Sequence, residues 1–270
     1  MELMIMIGIF LLLGVALAFS PLGLGGGVLF VPIFHYLLGW SIEDALLGSL
    51  GLVFMVALGS SMSHSKGGHA DKIVASVGRK MAIPGAVVGS IIASLLIKNV
   101  DPVVIKILAA IILAFVIERT LTRMRREANG STIEVNVSEQ IGKYRLGTSL
   151  AGIASGLLGI GGGAILVTLH RSLLGMDAHK AAGTSYLIGA TIVPVALVSH
   201  IIIDGTLGVL VDRIGLLPMI LIPALAFCCS FFGAKYAIQY VPKRVVTNTF
   251  LVAVSLSLMR YLYDFSTYIL

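Results

Sequence analysis

Two short stretches carry the residue types that could do chemistry in this chain: Ser20-Pro-Leu-Gly-Leu-Gly-Gly-Gly27 and Ser155-Gly-Leu-Leu-Gly-Ile-Gly-Gly-Gly163, each inside an apolar run. Glycine costs a helix interior roughly 1 kcal/mol against alanine. A cluster of it frees backbone N–H and C=O groups that a bilayer tolerates only where protein or a wet cavity satisfies them. Helical segments should restart near Gly27 and Gly163, and a helix start presents unpaired N–H groups and the positive end of its dipole. Glycine also lets an anion approach the backbone. Two such starts facing each other could hold a small oxyanion with neutral donors. The candidate ligand-binding residues are therefore Ser20, Gly23, Gly25, Gly26 and Gly27, with Ser155, Gly159, Gly161, Gly162 and Gly163. Close helix packing by small residues is the competing explanation. The pairing of the breaks, with Pro21 and Ser20, favours binding.

Other side chains extend the site. Ser49, Thr184 and Ser185 could donate to an oxyanion or cap a broken helix; bonding to their own helix backbone is the plainer alternative. His64 and His200 each end the second span of their half and are candidates for proton coupling, because histidine titrates near neutral pH. Neither has a Cys or a second His at metal-ligand spacing, so neither a metal nor a cofactor is expected. His35, His170 and His179 read as interface residues, Lys66-Gly67-Gly68-His69 as a loop and Asp204-Gly205 as a turn. Glu43, Asp44 and Asp177 suit helix starts, Glu118 and Arg119 a helix end, and Trp40 with Tyr36 an aromatic belt on the non-cytoplasmic side.

The elements that must position these groups are membrane spans. The 270 residues are 57% hydrophobic and 12% charged, against about 25% charged in a soluble domain. A crossing helix needs about 20 apolar residues, and eight regions qualify: 3–38, 43–64, 79–97, 102–122, 145–173, 180–203, 212–238 and 243–263. The first and fifth contain the glycine breaks. The first is too long for one straight crossing, and periodicity does not choose between a discontinuous helix and a helix followed by a re-entrant half-helix. The polar stretch 119–144, including Asn129, Gly130 and Ser131, reads as a solvated linker between a first repeat (1–118) and a second (145–270). The net charge of +6 sits in loops, so it does not signal nucleic acid. With eight crossings, Lys and Arg counts place the linker and both termini in the cytoplasm of a plasma-membrane protein. If the glycine breaks turn the chain back, the side of an end changes. Cys228 and Cys229, the only cysteines, read as packing residues. No cleavable signal peptide is expected, since the first run has no basic flank before it.

An offset of 136 residues aligns the halves: Gly23, Gly25, Gly26 and Gly27 meet Gly159, Gly161, Gly162 and Gly163, Ala45 meets Ala181, Ser49 meets Ser185, and Ser63-His64 meets Ser199-His200. With three or four residues added, Pro84 meets Pro223 and Pro102 meets Pro242. Matches that keep order and spacing indicate duplication, and transporter repeats place substrate between the halves. Four crossings per half make the repeats parallel; an odd number makes them inverted.

The fold class expected is thus an all-α polytopic membrane protein of about eight transmembrane helices in two homologous four-helix halves, the first helix of each half broken. The two glycine motifs, Val31-Pro32, Ala181-Ala-Gly-Thr-Ser185 and the duplication resemble the sulfite exporter TauE/SafE family over nearly the whole chain, 119–144 excepted. That resemblance implies a permease for sulfur-containing anions: sulfite, sulfonates, sulfoacetate or thiosulfate. Leu47-Gly48-Ser49 departs from the fuller Gly183-Thr184-Ser185, so the site need not be symmetric.

The function expected is secondary transport of such an anion across the lipid bilayer, with proton coupling and a homodimer both open. No Gly-x-x-x-x-Gly-Lys-Ser/Thr motif is present to bind a nucleotide. An anion channel with the same glycine-lined site is the alternative. An intramembrane Ser–His hydrolase is disfavoured: there is no Gly-x-Ser-x-Gly elbow, and Ser49–His64 and Ser185–His200 are each about 22 Å apart along a straight helix.

Overall fold

The computed structural model describes residues 2–99, 103–128, 137–205 and 207–269. Helices α1 (Glu2–Phe19), α2 (Gly27–Pro32, continued by a π-helical turn Ile33–Leu37), α3 (Ile42–Lys66), α4 (Lys72–Asn99) and α5 (Val103–Ala128) form the first half. Helices α6 (Val137–Leu158), α7 (Gly163–Ser172), α8 (Ala178–Asp204), α9 (Leu207–Ile214), α10 (Leu216–Tyr240) and α11 (Lys243–Ile269) form the second. There is no strand among the described residues. Among the described residues four helices, α3, α4, α8 and α10, are long and apolar enough to cross a membrane. Most of the stretch 119–144 is helix, because α5 and α6 extend into it; Asn129, Gly130 and Ser131 lie outside the described residues, as does Pro102.

Local chemistry sets the helix starts. Ser41 caps α3 by accepting the Asp44 N–H, and Asp177 caps α8 by accepting the N–H groups of His179 and Lys180. The Asp71 carboxylate does the same for α4 through Ile73 and Val74. Each cap satisfies N–H groups that have no intrahelical acceptor.

Polar contacts define two opposite ends of the bundle. At the Trp40 end, Arg213 pairs with Asp44 at 2.8 Å, Lys98 with Asp204 at 3.4 Å and Lys106 with Asp264 at 2.6 Å. At the Lys66 end, Lys180 pairs with Asp71 at 3.3 Å, the His69 and His179 rings lie 5.6 Å apart and the Tyr144 hydroxyl donates to Val74 O. The equivalent helices α3 and α8, which pack together at the centre, therefore run in opposite directions.

The glycine breaks turn the chain back. A Cβ on Gly8 would lie 2.6 Å from Leu38 Cδ2, and one on Gly147 2.6 Å from Leu169 Cδ2. The His170 ring bonds the Tyr144 hydroxyl at 3.0 Å. So α2 with its π-helical turn runs back along α1 to the Trp40 end, and α7 runs back along α6 to the Lys66 end. The start of α1 and the end of α11 consequently lie at the Trp40 end, whereas the end of α5 and the start of α6 lie at the Lys66 end. The expectation that linker and termini share a side is corrected. Three long helices follow each hairpin: α3, α4 and α5 after the first, and α8, α10 and α11 after the second.

Backbone-close packing holds α4 on α6. A Cβ on Gly85 or Gly89 would strike the carbonyl oxygen of Ser149 or Ile153, and one on Gly152 or Gly156 that of Ala82 or Ala86. Small residues at such a contact let dispersion work over a long seam. Pro84 and Pro223 both lie within continuous helices. Two expectations fail locally. Cys228 is exposed, although Cys229 packs against the core. His170 and His179 are buried rather than at an interface.

Candidate functional site

The two glycine breaks cross each other in backbone contact. A Cβ on Gly27 would sit 2.5 Å from Ile160 Cα, and one on Gly163 2.4 Å from Gly23 O. The 136-residue offset maps the Gly27–Ile160 contact onto that of Gly163 with Leu24, whose Cα lies 2.9 Å from the same Cβ. The same offset relates three further pairs. Gly159 lies against the Leu46 backbone and Gly23 against the Ala182 backbone. The Ser49 hydroxyl donates to Gly159 O at 2.8 Å, and that of Ser185 to Gly23 O at 3.0 Å. His64 Nε2 lies 3.3 Å from Ser20 O, and His200 Nε2 2.7 Å from Gly156 O. These contacts recur at the 136-residue offset seen in the sequence.

Helix starts lie at the crossing. Gly26 and Gly162 are the residues preceding α2 and α7, at φ 87° and 67°, a left-handed conformation that side-chain-bearing residues rarely adopt. The crossing lies midway between the ends, since Val53 near the middle of α3 touches both Gly25 and Gly161. Ser20, Ser49, Ser155, Thr184, Ser185, His64 and His200 are all buried.

The hydroxyls differ in their partners. Ser49 and Ser185 hold the opposite break by its carbonyls, and Ser20 donates to Leu17 O. The Thr184 hydroxyl donates to Lys180 O at 2.8 Å and accepts the Asp71 N–H at 3.0 Å, which ties the α3–α4 loop to the start of α8. Ser155 is buried with no hydrogen-bond partner for its oxygen, so a donor stands ready beside the crossing. Asp71 lies outside the spans. Burial alone would push its carboxyl up, but the N–H of Val74 and the Lys180 ammonium outweigh that and hold it below its usual range.

Three participants were not legible as such in the sequence. Tyr186 donates to Phe19 O at 2.6 Å and accepts the Gly25 N–H at 3.3 Å, fastening the first break. Its counterpart in the repeat is Leu50, so the duplication gives no sign of it. The Ser60 oxygen, buried and without a hydrogen bond, lies near the Tyr186 hydroxyl. Asp204, expected only as part of a turn, bonds His200 and Ser94; its spacing of four from His200 was the available signal.

A cavity of about 700 Å³ enters from the Trp40 end, lined mostly by apolar residues that include Leu12, Gly48, Gly51, Leu197 and Met219, with Arg213 among them. It draws on both halves and reaches Leu52, next to Val53 at the crossing. Neither Ser49 nor Ser185 bonds a histidine; each bonds carbonyls, so the serine–histidine pairing a hydrolase needs is not formed.

The family model for Sulfite exporter TauE/SafE matches residues 6–261, which takes in both glycine breaks and nearly all of the chain. The chain belongs to the TauE/SafE family. No curated protein and no solved structure matches it. TauE/SafE proteins are membrane transporters and not enzymes; this member is a multi-pass membrane protein that handles a sulfur-containing anion.

Proposed function

We propose that this TauE/SafE protein is a secondary transporter of small sulfur oxyanions, of the sulfite, sulfonate or sulfoacetate, or thiosulfate class, and that the anion binds where the two glycine breaks cross. The observation that carries the reading is the reciprocal crossing itself: two helix starts, related by the repeat, meet midway through a TauE/SafE fold. Gly23, Gly25, Gly26 and Gly27 with Gly159, Gly161, Gly162 and Gly163 supply backbone donors. Ser20, Ser49, Ser155, Thr184 and Ser185 hold that backbone or reach the anion. Of the two candidates for proton coupling, His64 and His200, only one need handle the proton if transport is coupled.

The layout proposed is an inverted repeat, with three crossings and one re-entrant hairpin per half. Fifteen of the nineteen Lys and Arg residues then belong to the Lys66 end and four to the Trp40 end. The positive-inside rule puts the Lys66 end and the linker 119–144 in the cytoplasm of a plasma-membrane protein. The cavity would then open outward. A monovalent anion gains roughly 2.3 kcal/mol per 100 mV on leaving a negative-inside cell, so export needs no coupling ion.

The test is counterflow in proteoliposomes. Unlabelled sulfite, thiosulfate or sulfoacetate trapped inside should accelerate uptake of the same labelled anion. Uptake that is conductive and unaffected by trapped anion would instead favour the channel reading. No flux of any of them would refute both.

A further inference from the structure

The two histidines of the repeat face different chemistry. His200 Nε2 lies 2.7 Å from Gly156 O and its Nδ1 2.9 Å from Asp204 Oδ2. A carbonyl oxygen only accepts a hydrogen bond, and an ionised carboxylate only accepts. Both ring nitrogens therefore meet acceptors. Both bonds can form in two ways: an imidazolium beside a carboxylate, or a neutral imidazole protonated on Nε2 beside a carboxylic acid that donates to Nδ1. Each holds one proton more than a neutral imidazole beside a carboxylate. His64 has no such partner. Its Nε2 meets Ser20 O, its ring lies by the His179 backbone, and Gly68 stands where the second half has Asp204.

We propose that Asp204 and His200 together form the proton-binding site of this transporter, exchanging with water at the Trp40 end, and that their shared proton clasps the end of α6 to α8. The inference rests on the transporter reading above. Both side chains are almost closed to solvent, at 2% and 5% exposure, whereas Lys98 beside them is 53% exposed and marks the way out. Several neighbouring elements contribute to the surroundings. From α4 come the Ser94 hydroxyl, which donates to Asp204 Oδ1, and the Lys98 ammonium. From α3 come Glu43, which feels both members of the pair, and Asp44. Arg213 of α9 is held on Asp44, and α6 supplies the Gly156 carbonyl.

When the pair gives up its proton to water, one N–H remains for two acceptors, and one of the two bonds must be lost. The Gly156 bond is the one that reports to the anion. Gly156 follows Ser155 and precedes Gly159 by three residues, so the clasp ends where the second break begins. Proton loss thus frees the end of α6 on the side that the proposed anion site uses, with no bond changed except the N–H or O–H that carries the proton. Asp204 is a positioning and proton-binding residue and does not touch the anion.

The experiment uses proteoliposomes and three probes of fixed charge near neutral pH: thiosulfate, methanesulfonate and sulfoacetate. Counterflow at equal pH is measured first. Accumulation under a one-unit pH gradient, acid on the Trp40 side, is measured second with the membrane potential clamped at zero. One proton carried per anion gives about tenfold accumulation. Wild type and His64→Gln should both accumulate about tenfold. Asp204→Asn and His200→Gln should keep counterflow and lose accumulation, to about onefold; the Gln side chain keeps a donor for Gly156 O, so it serves if the Asn variant does not fold. Counterflow by wild type without gradient-driven accumulation, or tenfold accumulation by Asp204→Asn, overturns the inference and leaves the transporter reading standing. Absence of counterflow for every probe overturns the transporter reading and this inference with it.

Discussion

Adding one methyl group at Gly163 should separate the two breaks and disable the protein. An alanine Cβ there would lie 2.4 Å from Gly23 O and 2.9 Å from Leu24 Cα, whereas ordinary contact begins at 3.4 Å. The opposing atoms are backbone, not the end of a flexible side chain, so relief requires the breaks to part by about 1 Å. Overpacking of this kind costs about 1–3 kcal/mol. The same movement stretches the Ser185–Gly23 and Ser49–Gly159 hydrogen bonds, each worth roughly 0.5–1.5 kcal/mol net. The combined loss is about 2–6 kcal/mol, or on the order of 4–24 °C in Tm for a chain of this size. The assay is the midpoint of thermal unfolding of detergent-purified protein, read beside counterflow. Gly27→Ala, which meets Ile160 Cα at 2.5 Å, should lose a similar amount, because the offset relates the two contacts. Gly14→Ala is the control: its Cβ meets nothing within 4 Å, and alanine is the better helix former by roughly 1 kcal/mol, so its Tm should not fall. A Gly163→Ala protein that melts with wild type and exchanges anion at the wild-type rate would refute the backbone crossing.

Other substitutions test separate contacts. Tyr186→Phe leaves Phe19 O and the Gly25 N–H without their shared partner and should lower stability by about 1–3 kcal/mol, read by the same melt; an unchanged Tm would remove Tyr186 from the first break. Ser49→Ala and Ser185→Ala should each cost about 1–3 kcal/mol by orphaning a buried carbonyl, and their effects should be similar, since the two bonds are equivalent in the repeat; a harmless Ser49→Ala beside a damaging Ser185→Ala would break that equivalence. Because the folded protein holds the Asp71 carboxyl below its usual range, its contribution is complete above the ordinary carboxylate pKa and disappears as pH falls through the lowered value. Asp71→Asn keeps the cap but not the charge. With Lys180 44% exposed, it should lose at most about 1 kcal/mol at neutral pH, and the melting temperatures of the two proteins should converge in acid; a constant gap down to acid pH would contradict the ion pair.

Much of the site was legible because duplication writes the same contact twice. Ser49 with Ser185, His64 with His200 and the eight glycines stood out at one offset before any geometry was known, and the serines and the histidine Nε2 atoms meet equivalent carbonyls. The direction of α2 and α7 was not legible. Apolar periodicity describes which residues face protein but is silent on whether a helix after a break continues or returns, and only contacts such as Gly147 with Leu169 decide it. Residues on which the halves differ were also hidden. Tyr186 answers to Leu50 and Asp204 to Gly68, so the repeat offered no signal for either. Thr184 was legible as a buried hydroxyl, but its engagement with the Asp71 loop depends on a contact 113 residues away in sequence.

The most direct test of the central claim, an anion site at the crossed breaks, is calorimetric titration of purified wild-type and Gly162→Leu protein with sulfite, thiosulfate, sulfoacetate, sulfate, phosphate and acetate. A ligand that binds only the folded state stabilises it according to its saturation, so thermal melts of the same samples give a second reading. The account predicts that one or two of the sulfur oxyanions bind wild type, and that this binding is lost in a Gly162→Leu protein that still purifies folded. Undiminished binding in that variant, or no binding of any sulfur oxyanion to wild type, would contradict it.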